Sequence, residues 1–82
     1  MNDTLIQSFL SVAEEGSFCK AAEKIYISQP NLSRNIARLE KELDTELFVR
    51  NTRKVTLTDS GELFLEDAKI ILDAMEHAKQ KV

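Results

Sequence analysis

Apolar positions along the first half of the chain recur every three or four residues. Within residues 4–14, Leu5, Phe9, Val12 and Ala13 share one face at about 100° per residue, which predicts a helix. Asp3 is the expected cap at its start, and Gly16 is placed to end it. Ser17 then caps a second predicted helix with Phe18, Ala21, Ala22 and Ile25 on one side. The Ala21-Ala22 pair presents two small side chains where another helix can cross closely. After a short turn at Tyr26-Ile27, Ser28 is the expected N-cap of a third helix, and Pro30 fits its first turn because an N–H there has no helical acceptor. Leu32, Ile36, Leu39 and Leu43 form a narrow apolar stripe on that helix. Pro30, Ser33, Arg34, Ala37 and Lys41 lie opposite, with Arg38 beside them.

The period changes over residues 47–57. Leu47-Phe48-Val49-Arg50 and Lys54-Val55-Thr56-Leu57 are short β-prone runs separated by the polar turn Asn51-Thr52-Arg53. They predict a small hairpin with Arg53 at its tip. Thr58 and Asp59 open a last helix to about residue 80, roughly 33 Å long. In it Phe64, Ala68, Ile71, Met75, Ala78 and Val82 recur at spacings of four and three, a heptad seam flanked by Leu63 and Ile70 on one side and by Leu65 and Leu72 on the other. So apolar a helix has more surface than a small globule covers. One face is expected on the domain and another on a second copy, with Phe64, Ala68, Ile71, Met75 and Ala78 as the dimerisation residues. The fold class is therefore mainly α: a winged helix-turn-helix, with a three-helix core and a β-hairpin wing over 1–58, followed by a linker helix for dimerisation over 59–82.

Composition adds limits. The chain has 82 residues, one small domain with a thin core, so help from a partner copy is expected. A single cysteine, Cys19, cannot form an internal disulfide and fits a reducing, cytoplasmic setting. It is read as a small semi-buried side chain in the second helix. His77, the one histidine, is read as a solvated helix residue. Neither has partners at metal-ligand spacing, and no nucleophile–base pair or glycine-rich phosphate loop stands out, so no catalysis, metal or cofactor is expected. No run is apolar enough for a membrane span, and the first residues lack a signal-peptide pattern.

The net charge of -3 argues at first against nucleic acid, but its distribution argues for it. Residues 1–19 carry three acids and no Lys or Arg. Residues 20–54 carry eight basic and five acidic side chains, and residues 55–82 three basic and six acidic. A basic centre attracts phosphate locally, because charges beyond about 10 Å are largely screened at ordinary salt. Helix, short turn and basic helix is the order of a DNA-reading helix-turn-helix. Gln29 offers a donor–acceptor pair for adenine and Arg34 a fork for guanine. Pro30 and Ala37 suit a thymine methyl, and Ser28 and Ser33 can bond phosphates or bases. Arg50, Arg53 and Lys54 on the hairpin are placed to grip the backbone, with Arg53 reaching toward a narrow minor groove. The competing reading is a helical protein-interaction module that never meets DNA. Such a module has no need of Gln29, Ser33 and Arg34 on one exposed helix beside an arginine-tipped hairpin.

The run from Leu5 to Gly61 also resembles the N-terminal domain of LysR-type transcriptional regulators. The matching stretches are F-L-S-V-A-E-E-G-S-F-C-K-A-A (9–22), S-Q-P-N-L-S-R-N-I-A-R-L-E (28–40), L-F-V-R (47–50) and L-T-D-S-G (57–61). The resemblance implies a winged helix-turn-helix that binds an imperfect inverted-repeat operator in double-stranded DNA as a homodimer. Its DNA contacts would fall on Ser28, Gln29, Pro30, Asn31, Ser33, Arg34, Arg50 and Arg53, to which the charge pattern adds Arg38 and Lys54. An effector-sensing domain would follow, outside this chain, which is thus expected to be a fragment. Three positions depart from the family pattern: Cys19 for Ser or Thr, Asn31 for a small residue, and Asp44 for the glycine after the recognition helix.

Overall fold

The computed structural model describes residues 1–50 and 54–82. The turn Asn51-Thr52-Arg53, and with it the expectation for Arg53, lies outside the described residues. Four helices and one hairpin follow in order: α1 (Asp3–Glu15), α2 (Phe18–Lys24), α3 (Gln29–Leu43), β1 (Phe48–Arg50), β2 (Val55–Leu57) and α4 (Asp59–Lys81).

Local chemistry sets the helix ends. α1 is capped by Asn2, whose side chain accepts the Leu5 N–H at 2.9 Å, and not by Asp3 as expected. Asp3 is instead the first helical residue, where its negative charge suits the positive end of the helix dipole. Gly16 ends α1 at φ 65, donating its N–H to the Val12 carbonyl at 2.8 Å, a left-handed conformation natural to glycine. Ser17 caps α2, Ser28 caps α3 and Thr58 caps α4, each accepting an N–H three residues on. Asp44 ends α3 at φ 52, without the glycine usual there.

The core is where the apolar stripes meet. Leu5, Ile6, Phe9 and Val12 of α1, Ala21 and Ala22 of α2, and Leu32, Ile36 and Leu39 of α3 are all buried. The small Ala21-Ala22 face lets α2 lie close to α1, and Ser11 Oγ donates to the Ala21 carbonyl at 3.1 Å across that contact. Asn35 Nδ2 on α3 donates to Ser8 Oγ on α1 at 3.1 Å, and that hydroxyl donates in turn to the Thr4 carbonyl at 2.8 Å. The interior thus holds two serines that apolar patterning does not mark, each hydrogen-bonded as buried hydroxyls must be. Cys19 is exposed, not semi-buried. At 100° per residue it lies between Ala22 and Glu23 and opposite Ala21, at the edge of the packed face of α2, and its thiol turns to the Glu23 carboxylate at 3.9 Å.

The hairpin is antiparallel, with Phe48 opposite Leu57, Val49 opposite Thr56 and Arg50 opposite Val55. It is shorter than the β-prone runs because Leu47 leaves the ladder to enter the core. Its carbonyl accepts the Thr58 N–H at 3.0 Å. Phe48 roots the wing in the globule: its ring lies 5.3 Å from Phe9 and 6.4 Å from Phe18, centroid to centroid. At the start of α4, Gly61 packs so closely on the Leu47 carbonyl oxygen that a β-carbon there would overlap it.

The expected seam of α4 is divided between the core and solvent. The Phe64 ring stands 5.0 Å from Phe9, Ala68 is fully buried and Ile71 packs on the same core. Ala68 is thereby closed off inside the domain, while Phe64 and Ile71 pack on the core and stay half-buried. Leu65 and Leu72 are also partly buried against this core. Of the seam, Met75 is half-buried and Ala78 is exposed. The apolar side chains that α4 turns outward are Leu63, 77% exposed, and Ile70, 62% exposed. Lys79 near the far end of α4 pairs with Asp3 at 3.1 Å, fastening that end to the first turn of α1.

Candidate nucleic-acid interface

α3 meets the rest of the molecule through Leu32, Ile36 and Leu39, so its other side is left to solvent from the first residue on. Gln29, Pro30, Asn31, Arg34, Ala37, Arg38 and Lys41 are exposed, and Ser33 is half-buried at the edge of that face. By helical angle Gln29 lies near the apolar stripe, yet it is exposed because it precedes the turns that pack. Ser28 is exposed as well. Its Oγ accepts the Asn31 N–H at 3.2 Å, which leaves its hydroxyl proton to donate outward. Pro30, with no N–H to satisfy, keeps the helix start bare of polar hydrogen where an apolar group is wanted.

Two arginines of the expected interface are held by neighbours. The Arg34 guanidinium donates from one terminal nitrogen to Asn31 Oδ1, one turn back along α3. Asn31, a departure from the family pattern, thereby restricts the rotamers of Arg34 while other guanidinium donors remain for a partner. Arg50 at the end of β1 donates to Glu40 Oε1 at 3.4 Å, and its guanidinium carbon lies 5.1 Å from the centre of the Phe18 ring. Both contacts draw it toward the groove between α3, α2 and the wing. Lys54 is exposed at the foot of β2. The structure therefore brings Ser28, Gln29, Pro30, Asn31, Ser33, Arg34 and Arg38 onto one helix face, and sets Arg50 and Lys54 on the hairpin.

Two residues here escape sequence patterning. Tyr26 is 94% exposed at φ 60, in the turn between α2 and α3. A large apolar ring left in water in a conformation few residues adopt was signalled only by its place between two helices. Glu40, read from sequence as one acid among several, turns its carboxylate to the wing: Oε2 accepts the Leu47 N–H at 2.7 Å and the Phe48 N–H at 3.4 Å.

Among the described residues, no group of three or more His, Cys, Asp or Glu side chains is gathered as for a metal ion, and no helix is long and apolar enough to cross a membrane. The conserved-sequence model described as "Bacterial regulatory helix-turn-helix protein, lysR family" matches residues 4–62. The chain is 46% identical over 77 residues to the uncharacterized HTH-type transcriptional regulator YxjO of Bacillus subtilis, covering 94% of this chain and 26% of that protein. It is 49% identical over 76 residues to the HTH-type transcriptional regulator BudR of Klebsiella aerogenes, covering 93% of this chain and 53% of that protein. It thus spans about a quarter to about half the length of these curated relatives. The fold superposes on the crystal structure of the CbnR_DBD–DNA complex with a TM-score of 0.94 at 34% identity, covering 99% of this chain and 93% of that one. A winged helix-turn-helix with this sequence match, from α1 into the first turn of α4, places the chain in the LysR family of bacterial helix-turn-helix regulators.

Proposed function

We propose that this chain is the DNA-binding domain of a transcription regulator. It reads a major groove with the start of α3 and steadies the adjacent backbone with the wing. The observation that carries the reading is the α3 face from Ser28 to Arg38. It is exposed, rich in groups that can bond base edges or phosphates, and free of the packing that occupies the opposite side. The likeness to CbnR_DBD, solved with DNA, supports it and leaves the protein-interaction reading without a specific observation in its favour. In this reading Gln29, Pro30, Asn31, Ser33 and Arg34 face bases. Ser28, Arg38, Arg50 and Lys54 serve the backbone, and Arg53 the adjacent minor groove.

The working unit is a homodimer on an imperfect inverted repeat, with the 1–58 unit reading DNA and the 59–82 helix joining two copies. Leu63 and Ile70 support the joining, since two large apolar side chains on one helix face gain about 1.5–3 kcal/mol each when fully buried. Effector sensing belongs to a domain outside this chain, and the setting is cytoplasmic. The test is selection from random-sequence duplexes, with sequencing of the retained pool. Enrichment of a motif with two related halves supports the reading, and a pool that stays random refutes it.

A further inference from the structure

We propose that Glu40 is a positioning residue for DNA recognition. It braces the wing against the recognition helix, so that α3 and the hairpin present themselves as one rigid reading surface. The proposal rests on the DNA-binding reading above and deepens it.

The geometry is unusual for an acid on the side of a recognition helix. The Glu40 side chain is only 16% exposed, against 32–53% for the other ion-pairing acids among the described residues. One carboxylate oxygen accepts the backbone N–H groups of Leu47 and Phe48 at 2.7 and 3.4 Å, and the other accepts from Arg50 at 3.4 Å. All three donors belong to the stretch that enters and forms β1. The Leu47 bond has the short length of a charge-assisted link and the other two are longer, and a carboxylate this buried is costly to leave without donors. One α3 side chain thus fixes the first strand of the wing along its length. Arg50 completes the brace by lying over the Phe18 ring, which ties the same point to the start of α2.

DNA gives the brace its purpose. A helix in one groove and a wing on the neighbouring backbone bind together only if their separation and angle match the duplex. Play between them has to be frozen out on binding, at a cost in affinity. The apolar root at Phe48 anchors the base of the wing, and the Glu40 hydrogen bonds add the directional links that non-directional packing lacks. Glu40 therefore acts through the wing and touches no base itself.

The test compares Glu40→Gln and Glu40→Ala in the 82-residue chain. Glu40→Gln keeps the length and one neutral acceptor for the strand amides but loses the charge that holds Arg50. In amide hydrogen exchange without DNA, Leu47 and Phe48 should be protected in the parent, partly protected in Glu40→Gln and unprotected in Glu40→Ala. In selection from random duplexes, both variants should keep the preference at positions under α3 and flatten it at flanking positions reached by the wing. Affinity for the parent's site should fall about tenfold in Glu40→Gln and further in Glu40→Ala. If exchange and flanking preference are unchanged, the brace is overturned while the DNA reading stands. Uniform flattening at every position makes Glu40 merely structural and equally overturns the proposal. If the parent itself enriches no motif, the DNA reading fails, and a Glu40 positioning role in recognition falls with it, whatever the exchange data show.

Discussion

Arg34 illustrates how one side chain is prepared before any ligand arrives. A guanidinium at the end of four rotatable bonds loses up to about 2 kcal/mol of conformational entropy when fixed, and the bond to Asn31 bears part of that loss within the free protein. Arg34→Ala should weaken binding to the preferred duplex by about 1–3 kcal/mol and relax selectivity at one base pair, checked by repeating the selection and titration with the variant. An equal loss on every sequence would move Arg34 to the backbone. At this scale the sequence was partly legible. Ser28, Gln29, Pro30 and Arg34 stood out because a helix start and an apolar stripe fix where they point. Ser8, Ser11 and Glu40 did not, because a polar side chain is buried by the accident of which backbone or side-chain partner reaches it, and such partners follow no helical or strand period. Cys19 was misplaced for a related reason: it stands at the edge of the alanine face, where helical angle does not decide between core and solvent.

Helix ends are where local chemistry speaks most directly, and three of the four N-caps were readable from serine and threonine alone. The first was not, since Asn2 and Asp3 are both good caps and the choice rests on which leaves the other a favourable place. Asp44 at φ 52 is a second consequence of local chemistry. A left-handed conformation costs a side-chain-bearing residue about 1–2 kcal/mol, less for Asp, and its charge opposes the negative end of α3. Asp44→Gly should therefore raise stability by about 0.5–1 kcal/mol after the extra flexibility of an unfolded glycine is deducted, seen as a thermal midpoint a few degrees higher. A lower midpoint would show that the aspartate makes a compensating contact. The far end of α4 is held by charge. Lys79 beside Asp3 holds that carboxyl below the usual carboxylate range, and Asp3 in turn raises the Lys79 amine. The sign follows: a depressed carboxyl stabilises the folded form above its unfolded pKa of 3.8, and this is lost as pH falls below that value through the depressed one. The raised amine acts in the mirror sense, contributing below 10.5 and fading as pH climbs past it. Amides in the last turns of α4 should lose protection, measured against the intrinsic exchange rate at the same pH, below pH 4 and at high salt, and Asp3→Asn should remove both dependences.

For the whole molecule, the decisive question is what α4 does with two apolar faces. The heptad pattern announced an excess of apolar surface but could not say which stripe the globule would take, because the answer depends on where Phe9 sits across the core. Phe64, Ala68 and Ile71 go inward, and Leu63 and Ile70 remain outside. Ile70→Glu should leave the fold and its melting unchanged within about 0.5 kcal/mol, as expected of an exposed position, yet shift sedimentation toward monomer and abolish preference for a two-half motif. Unchanged dimerisation would point to another surface.

Gly61 gives this arrangement a mechanical meaning. With the start of α4 seated against the Leu47 carbonyl at the root of the wing, and its body laid along α1, the 23-residue helix has little freedom to pivot. It works as a caliper arm roughly 34 Å long, on which a tilt of about 5° at the root displaces the tip by about 3 Å, close to the rise of one base pair. Gly61 thus sets the gauge of the proposed dimer: a methyl group added at that position would reset the distance between two reading heads, and the length of spacer tolerated between half-sites would change with it.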